Sequence, residues 1–398
     1  MTTHFARGFF ALAVSLGLLS VGCSVTVSGD GSGSGDFAGT GGGSADGNAS
    51  FGPPQEPVKA PAYASHCTPA TAVVAHAVCV CGDMSNAGSL TTYGTPGNRA
   101  SVGVNGRFSG VTGTKIAGSL HANRGVSFAG QLEVADHLYS GDRASGSGTL
   151  RVGESLLVAG DLSGAGTVEV GGALRVAGRK SVAGTLHYGS EAPFVAAPAS
   201  PCTCDKDKIY DVAKAVDVAR TDNDNAANQI PTSFGANELR LKSGRYFFTN
   251  VRSIGAARIV AEGNVQVYVD GDLDAVGSSQ IRLEAGATLD LFVKGSIQSA
   301  GDVSYGDASR PEAFRLYVGG AGSRISFAGS RQFHGLVYAP EATLSFAGDT
   351  EITGALLAKE IHYAGDLRVT YTPVTGQSQS CEEEAAAPPP SCESRMIK

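Results

Sequence analysis

The sequence predicts an all-β protein, a parallel β-helix (β-solenoid) in two repeat segments with a short helical insertion between them. Three observations predict it. From Gly118 to Gly189 the chain reads in sixes without an insertion: GSLHAN, RGVSFA, GQLEVA, DHLYSG, DRASGS, GTLRVG, ESLLVA, GDLSGA, GTVEVG, GALRVA, GRKSVA and GTLHYG. Glycine supplies 55 of the 398 residues, roughly twice the usual 7% share. A second set of apolar runs, VQVYVDGDL (265–273), LDLFVKGSI (289–297), FRLYVGG (314–320), LVYAP (336–340) and LLAKEI (356–361), begins every 20–25 residues.

The N-terminus sets the compartment. MTTHFAR followed by GFFALAVSLGLLSV has the weakly cationic start and apolar core of a secretory signal, residues 1–22. The stretch is short for a spanning helix. It ends in LSVGC (19–23), which resembles the lipobox of bacterial lipoproteins. In that family the cysteine is acylated and becomes the first mature residue, so the resemblance implies lipidation of Cys23 and an exported protein of the bacterial cell envelope. Ser20 stands where the family usually carries leucine, and Leu19 sits one place early. Ser24, in place of an aspartate beside the lipidated cysteine, implies the outer membrane. Residues 23–60 are then the lipidated cysteine and a Gly/Ser-rich tether, with a root-mean-square span on the order of 30 Å.

The formal charge is −7. An acidic chain without a basic stripe is a poor nucleic-acid binder, since that binding rests on Lys and Arg neutralising phosphate. Eight cysteines are present. With Cys23 lipidated, seven remain in an oxidising compartment where disulfides are the default. CVC (79–81), in a Cys-containing N-terminal cap over 61–99, and CTC (202–204) flank the hexad region. Cysteines two apart rarely bond each other without strain. Cross-bonding between Cys79, Cys81 and Cys202, Cys204 is therefore expected, stapling the ends of one unit. Cys381 and Cys392 would close a small loop in a disordered tail, 373–398, leaving Cys67 unpaired or competing for a partner. A metal site of His66, Cys67, His76, Cys79 and Cys81 is the alternative, but its spacing matches no C-x₂-C zinc pattern.

The sixes follow from side-chain alternation. Residues two apart in an extended segment share a face. Position three is Leu or Val in ten of the twelve hexads, the exceptions being Ala144 and Lys180, and position five is most often Val. Both point inward, while positions two and four point outward. The small residues at six and one mark a corner where successive turns approach closely. Three sixes make a rung of about 18 residues, stacked on the next at about 4.8 Å. The hexapeptide solenoid is placed at 100–190.

A Pro/Cys linker, 191–234, follows. Within it Ile209, Val212, Val216 and Ala219 have helical spacing, with Asp205 as the candidate N-cap. Such a helix would cover an open solenoid end. The second solenoid is placed at 235–372. Its SFAG (326–329, 345–348) and HYAG (362–365) segments put glycines 19 and 17 residues apart, one rung each. Phe327, Phe346 and Tyr363 would stack as an internal aromatic ladder. The run GLVYAPEATLSFAGDTEITGALLAKEIHYAGD (335–366), entered through LKSGRYFF (241–248), resembles an uncharacterised domain of bacterial surface and pilus-assembly accessory proteins. The first half resembles bactofilins, polymer-forming bacterial β-helix proteins, in its repeat. Neither resemblance supplies catalytic residues.

No catalytic, cofactor-binding or metal-binding residues are expected. His121, His187, His334 and His362 do not converge in sequence. DGDLD (270–274) and DNDN (222–225) are the densest acidic spots, and DNDN lacks the glycine and distal glutamate of an EF-hand loop. The expected function is a non-enzymatic, lipid-anchored, surface-exposed structural or adhesive solenoid. Its partners would be the membrane through the anchor, an envelope protein or glycan, and copies of itself. The rival readings are a carbohydrate-active β-helix enzyme and a self-polymerising scaffold.

Overall fold

A computed structural model of the chain describes residues 75–234, 238–255 and 257–373. The described strands form one 29-stranded sheet, paired in parallel and coiled with three strands per turn into a β-helix. In the first half the first rung steps by 24 residues, Val78 to Val102, and from Val102 onward the register steps by 18 on every side. Leu120 pairs with Leu138 and then Leu156 and Leu174. Val126 pairs with Ala144, Leu162 and Lys180, and Leu132 with Leu150, Val168 and Leu186. These are the position-three residues of successive sixes, and the leucines up to Leu174 are essentially fully buried. A narrow interior admits only two inward side chains per side, which is why each strand is so short.

The two repeat segments are one stack, but not in chain order. Val78–Val80 pairs on one edge with Val102–Val104 and on the other with Leu356–Ala358. Leu90–Tyr93 likewise lies beside Leu367–Tyr371. The described chain thus starts in the middle of the stack and coils to one end at Lys180–Glu191. It returns along the flank, restarts at Ser233–Phe234, and coils back to meet its own first rung. Residues 78–93, expected within an N-terminal cap, are a central rung instead. Their apolar residues Val78, Val80, Met84 and Leu90 fill inward slots and are fully buried.

The return crossing carries helix α1 (Val212–Ala219), whose buried residues are Val212, Val216 and Ala219. It does not cover an end. It lies on the flank over an outward column of aromatics, Phe247, Tyr268, Phe292, Tyr317 and Tyr338. Tyr268, Phe292 and Tyr317 stack with 4.6 Å between successive ring centroids. Tyr210 packs against Phe292 and Tyr317, each at 6.1 Å, so the helix starts only after it. Asp211 is accordingly the N-cap, accepting from the Lys214 N–H at 2.9 Å. Asp205, the expected cap, instead closes a turn to Lys208 and Ile209.

Both ends of the stack are blunted by polar groups. At one, DNDN caps the free edge of Gly244–Phe248. Asp224 exchanges hydrogen bonds with the Arg245 backbone, and the Asn225 amide bonds both the N–H and the carbonyl of Phe247 at 2.8 Å. Asp222 pairs with the Arg245 guanidinium. At the other, Lys180 and Glu191 occupy the inward slots held one rung earlier by Leu162 and Leu174. They pair with each other across the mouth of the core, and the Tyr188 hydroxyl donates to Glu191 at 3.1 Å. The Lys180 ammonium holds the Glu191 carboxyl below its usual range. Inward charge at an unpaired edge opposes edge-to-edge association. Lys180→Leu combined with Glu191→Leu is expected to create a flat apolar end and concentration-dependent association in light scattering. A double variant that sediments like the parent at every concentration would remove this role.

Candidate functional site

One side of the prism differs from the others. On the strands Asn250–Ile254, Leu273–Val276, Ile297–Ala300 and their successors, two outward columns run the length of the stack. The first is Arg252, Asp274, Gln298, Ser326, Ser345, His362, Ser85, Ser109, Ser127, Ser145, Ser163 and Ser181. The second is Ile254, Val276, Ala300, Ala328, Ala347, Ala364, Ala87, Val111, Ala129, Ser147, Ala165 and Ala183. The columns pass without a break from residues 345–364 to residues 85–111, so a face built from both halves of the chain is continuous. At the usual strand spacing it is roughly 50 Å long.

Between the columns the intervening residues turn inward. Phe327 and Phe346 stack nearly parallel with centroids 6.0 Å apart, and Tyr363 follows Phe346 in register, which is the expected aromatic ladder. Over this floor lies a shallow trough of about 670 Å³, lined from Arg252–Ile254 to Ser345–Ala347. A second trough of about 440 Å³ continues past Phe346 to His362–Ala364, Ser85–Ala87 and Val111. The apolar rims are bare: Ile254 is 84% and Val276 58% exposed along the first trough, and Val111 is 56% exposed along the second. Large contiguous apolar exposure marks contact surfaces. Hydroxyls tie neighbouring rungs of the serine column, Ser109 to Ser127 at 2.9 Å and Ser85 to the His362 Nδ1 at 2.7 Å. Short side chains on a paired sheet lose little rotamer entropy on contact. From Ser326 to Ser181 only His362 is titratable in either column.

The histidines singled out by sequence are dispersed. His121 packs edge-on against Tyr139, centroids 4.6 Å apart, near the crossing. His187 is exposed beside Glu169 in register. His334 is half-buried next to Gly306 and Thr353. Burial lowers the pKa of His76, His121 and His334, keeping them neutral at pH 7. The DGDLD carboxylates diverge. Asp270 bonds Arg220 and Lys294, Asp272 accepts from the Ser296 N–H, and Asp274 reaches Arg252. Among the described residues no group of three or more His, Cys, Asp or Glu could hold a metal ion. Cysteines 79 and 81 are instead bonded to 202 and 204, as expected for the two CxC pairs. They do not join the ends of a unit. They fasten the crossing to the central rung, beside the junction of the two halves. Cys23, Cys67, Cys381 and Cys392 lie outside the described residues.

Residues 204–376 match a family model described as a domain of unknown function, DUF7305. That span takes in α1 and the rungs from Ser233 to Tyr371, and none of the hexads. No curated protein matches the chain. Among solved structures, an ice binding protein from an Antarctic bacterium, Flavobacteriaceae, is similar at 10% identity and a TM-score of 0.20, covering 75% of this chain and 97% of that one. Among the described residues no helix is long and apolar enough to cross a membrane.

The SFAG and HYAG segments are visible in the sequence, but the face they help compose is not, because it needs the pairing of residues 84–86 with 361–363. The flank ladder was also missed. Its signal is an aromatic at the same place in VYV, LFV and LYV.

Proposed function

We propose that the protein is a non-enzymatic, lipid-anchored envelope solenoid whose long Ser/Ala face is a passive contact surface with a structural or adhesive role. The continuous pair of columns from Arg252 to Ala183 carries this reading. A repetitive, nearly uncharged strip suits an extended, repetitive partner such as an envelope glycan better than a small substrate. The leader and LSVGC support the anchor, and the Gly/Ser tether supports a body standing off the membrane. The test is retention of tether-deleted protein on separated glycan and protein pools of the envelope. Ala347→Asp with Ala129→Asp, which place charge in the second column, are expected to reduce retention at least tenfold without lowering the melting temperature. Equal retention of parent and variant would end the proposal. The regular one-rung repeat of the columns favours a second reading, a solid with its own lattice, ice included. Inhibition of ice recrystallisation by the parent and not by the variant would select it.

A further inference from the structure

Two of the neutral histidines sit together under the return crossing. Their meeting point is Gly103, which pairs with Cys79 on one edge and with His121 on the other. A Cβ on Gly103 would stand 3.0 Å from the His76 Cδ2, 2.8 Å from the Pro201 Cβ and 3.1 Å from the Cys202 Sγ. The His76 ring is therefore pressed between the rung and the crossing. Beyond His121 the same outward column continues as Tyr139, Leu157 and Arg175. Tyr139 points outward yet is only 6% exposed. What covers it is the stretch 193–201, which is tied down on either side of it. The Arg175 Nη1 donates to the Pro193 carbonyl at 3.0 Å, and the Asn123 amide donates to the Ser200 Oγ at 2.7 Å. Little else holds this stretch, since three of its nine residues are prolines without an N–H.

The His76 Nδ1 and the His121 Nε2 are shut off from solvent, and neither has a hydrogen-bond partner. Burial lowers the pKa of both rings. For His121 the Asn123 side chain works against that lowering, and the neighbouring His76 adds to it. Residues 192–204 carry no charged side chain. Among the described residues the titratable group packed against the pair is Tyr139, and the nearest charge in the column is Arg175, three rungs beyond His121. A proton on either ring would thus be a buried charge without a counter-ion, and a second would repel the first. Lifting the stretch returns both rings to water and to the ordinary histidine range. Opening therefore takes up protons. The closed form is at full strength above the ordinary histidine value and weakens as the pH falls below it.

We propose that residues 193–201 form an acid-opened strap, closed over Tyr139 while His76 and His121 are neutral and released when they take up protons. Cys202 and Cys204 keep the opened strap attached at the central rung through their bonds to Cys79 and Cys81. Release bares a flank patch of two imidazolium rings, Tyr139 and Leu157. The strap is independent of the contact-face reading. The test is pulsed hydroxyl-radical footprinting of the full chain, disulfides closed, from pH 7 to about pH 5. Oxidation of Tyr139 is read against Tyr93, which is 47% exposed, and against Tyr363, which is 5% exposed in the core. The Tyr139 rate is expected to rise roughly tenfold or more over that range while Tyr363 stays protected, since each proton taken up favours opening by up to about tenfold per pH unit. His76→Gln combined with His121→Gln keeps polar side chains of similar size and removes the titration, so the rise should vanish. Tyr139 still protected at about pH 5, Tyr139 and Tyr363 exposed together, or the same rise in the double variant would overturn the assignment.

Discussion

Deleting both disulfides together is expected to cost about 7 kcal/mol, whereas deleting either alone costs about 2 kcal/mol or less, because the two bonds close the same loop. Each joins residues 123 apart in sequence. In the chain-entropy account, closing a loop of that length removes about 5 kcal/mol of freedom from the unfolded chain. With one bond in place, the second closes a ring of only a few residues and adds about 2 kcal/mol. The native contacts around them are already good. The Asn105 amide bonds the Cys202 N–H and carbonyl at 3.2 and 2.9 Å, and Asn123 reaches Ser200 at 2.7 Å. Denaturant unfolding of Cys79→Ser/Cys202→Ser, of Cys81→Ser/Cys204→Ser and of the fourfold variant measures the three losses. Equal, additive losses for the two pairs would show that each bond acts on local structure rather than on the shared loop. The position explains the redundancy. Among the described residues the crossing is the one long connection, and it must be held against the rung where the two halves meet.

The rung was legible in the sequence and the order of rungs was not. Alternation within each six sets which residues face inward, and the small residues set the corners. The observed steps Leu120–Leu138–Leu156 and Phe327–Phe346–Tyr363 follow from those local facts alone. Nothing local distinguishes a strand edge that receives the next rung from one that receives a rung 277 residues away, as Ser85 receives His362. Val78–Val80 offers the same backbone groups to either neighbour, so the junction, and with it the continuous face, emerges only in three dimensions. The helix shows the same limit. The spacing of Val212, Val216 and Ala219 gives an apolar stripe but does not say what the stripe covers. The stripe settles on the flank, over the strands that carry the ring column Phe247, Tyr268, Phe292 and Tyr317. Lys180 carried a readable signal, since a lysine in an inward slot is costly unless the rung opens to solvent, as the terminal one does.

The glycine that recurs along the chain makes the strongest demand on a single residue type. Gly130, Gly148, Gly166 and Gly184 share one corner in the first half, and Gly255, Gly277, Gly301, Gly329, Gly348 and Gly365 share it in the second. Their φ values run from +91 to +143°. A Cβ on Gly166 would stand 2.1 Å from the carbonyl oxygen of Gly148, and one on Gly148 the same distance from that of Gly130. Two penalties therefore combine at Gly166→Ala. Holding an L-residue in that backbone region costs about 1–3 kcal/mol. The overlap with main chain cannot be relieved by turning a side chain, so the rungs must part and lose ladder hydrogen bonds, adding at least about 2 kcal/mol. Gly286 separates the two. It has φ +77° but nothing within 4 Å of the Cβ position. Gly286→Ala should lose only the backbone penalty, about 1–2 kcal/mol. Thermal unfolding of the two variants side by side decides the matter. If Gly166→Ala is no more damaging than Gly286→Ala, close stacking at the corner is not what selects glycine, and a larger residue there would be compatible with the same coil. If the gap appears, the corner column sets the close approach of successive rungs, and the Ser and Ala columns beside it inherit their regular spacing from that approach.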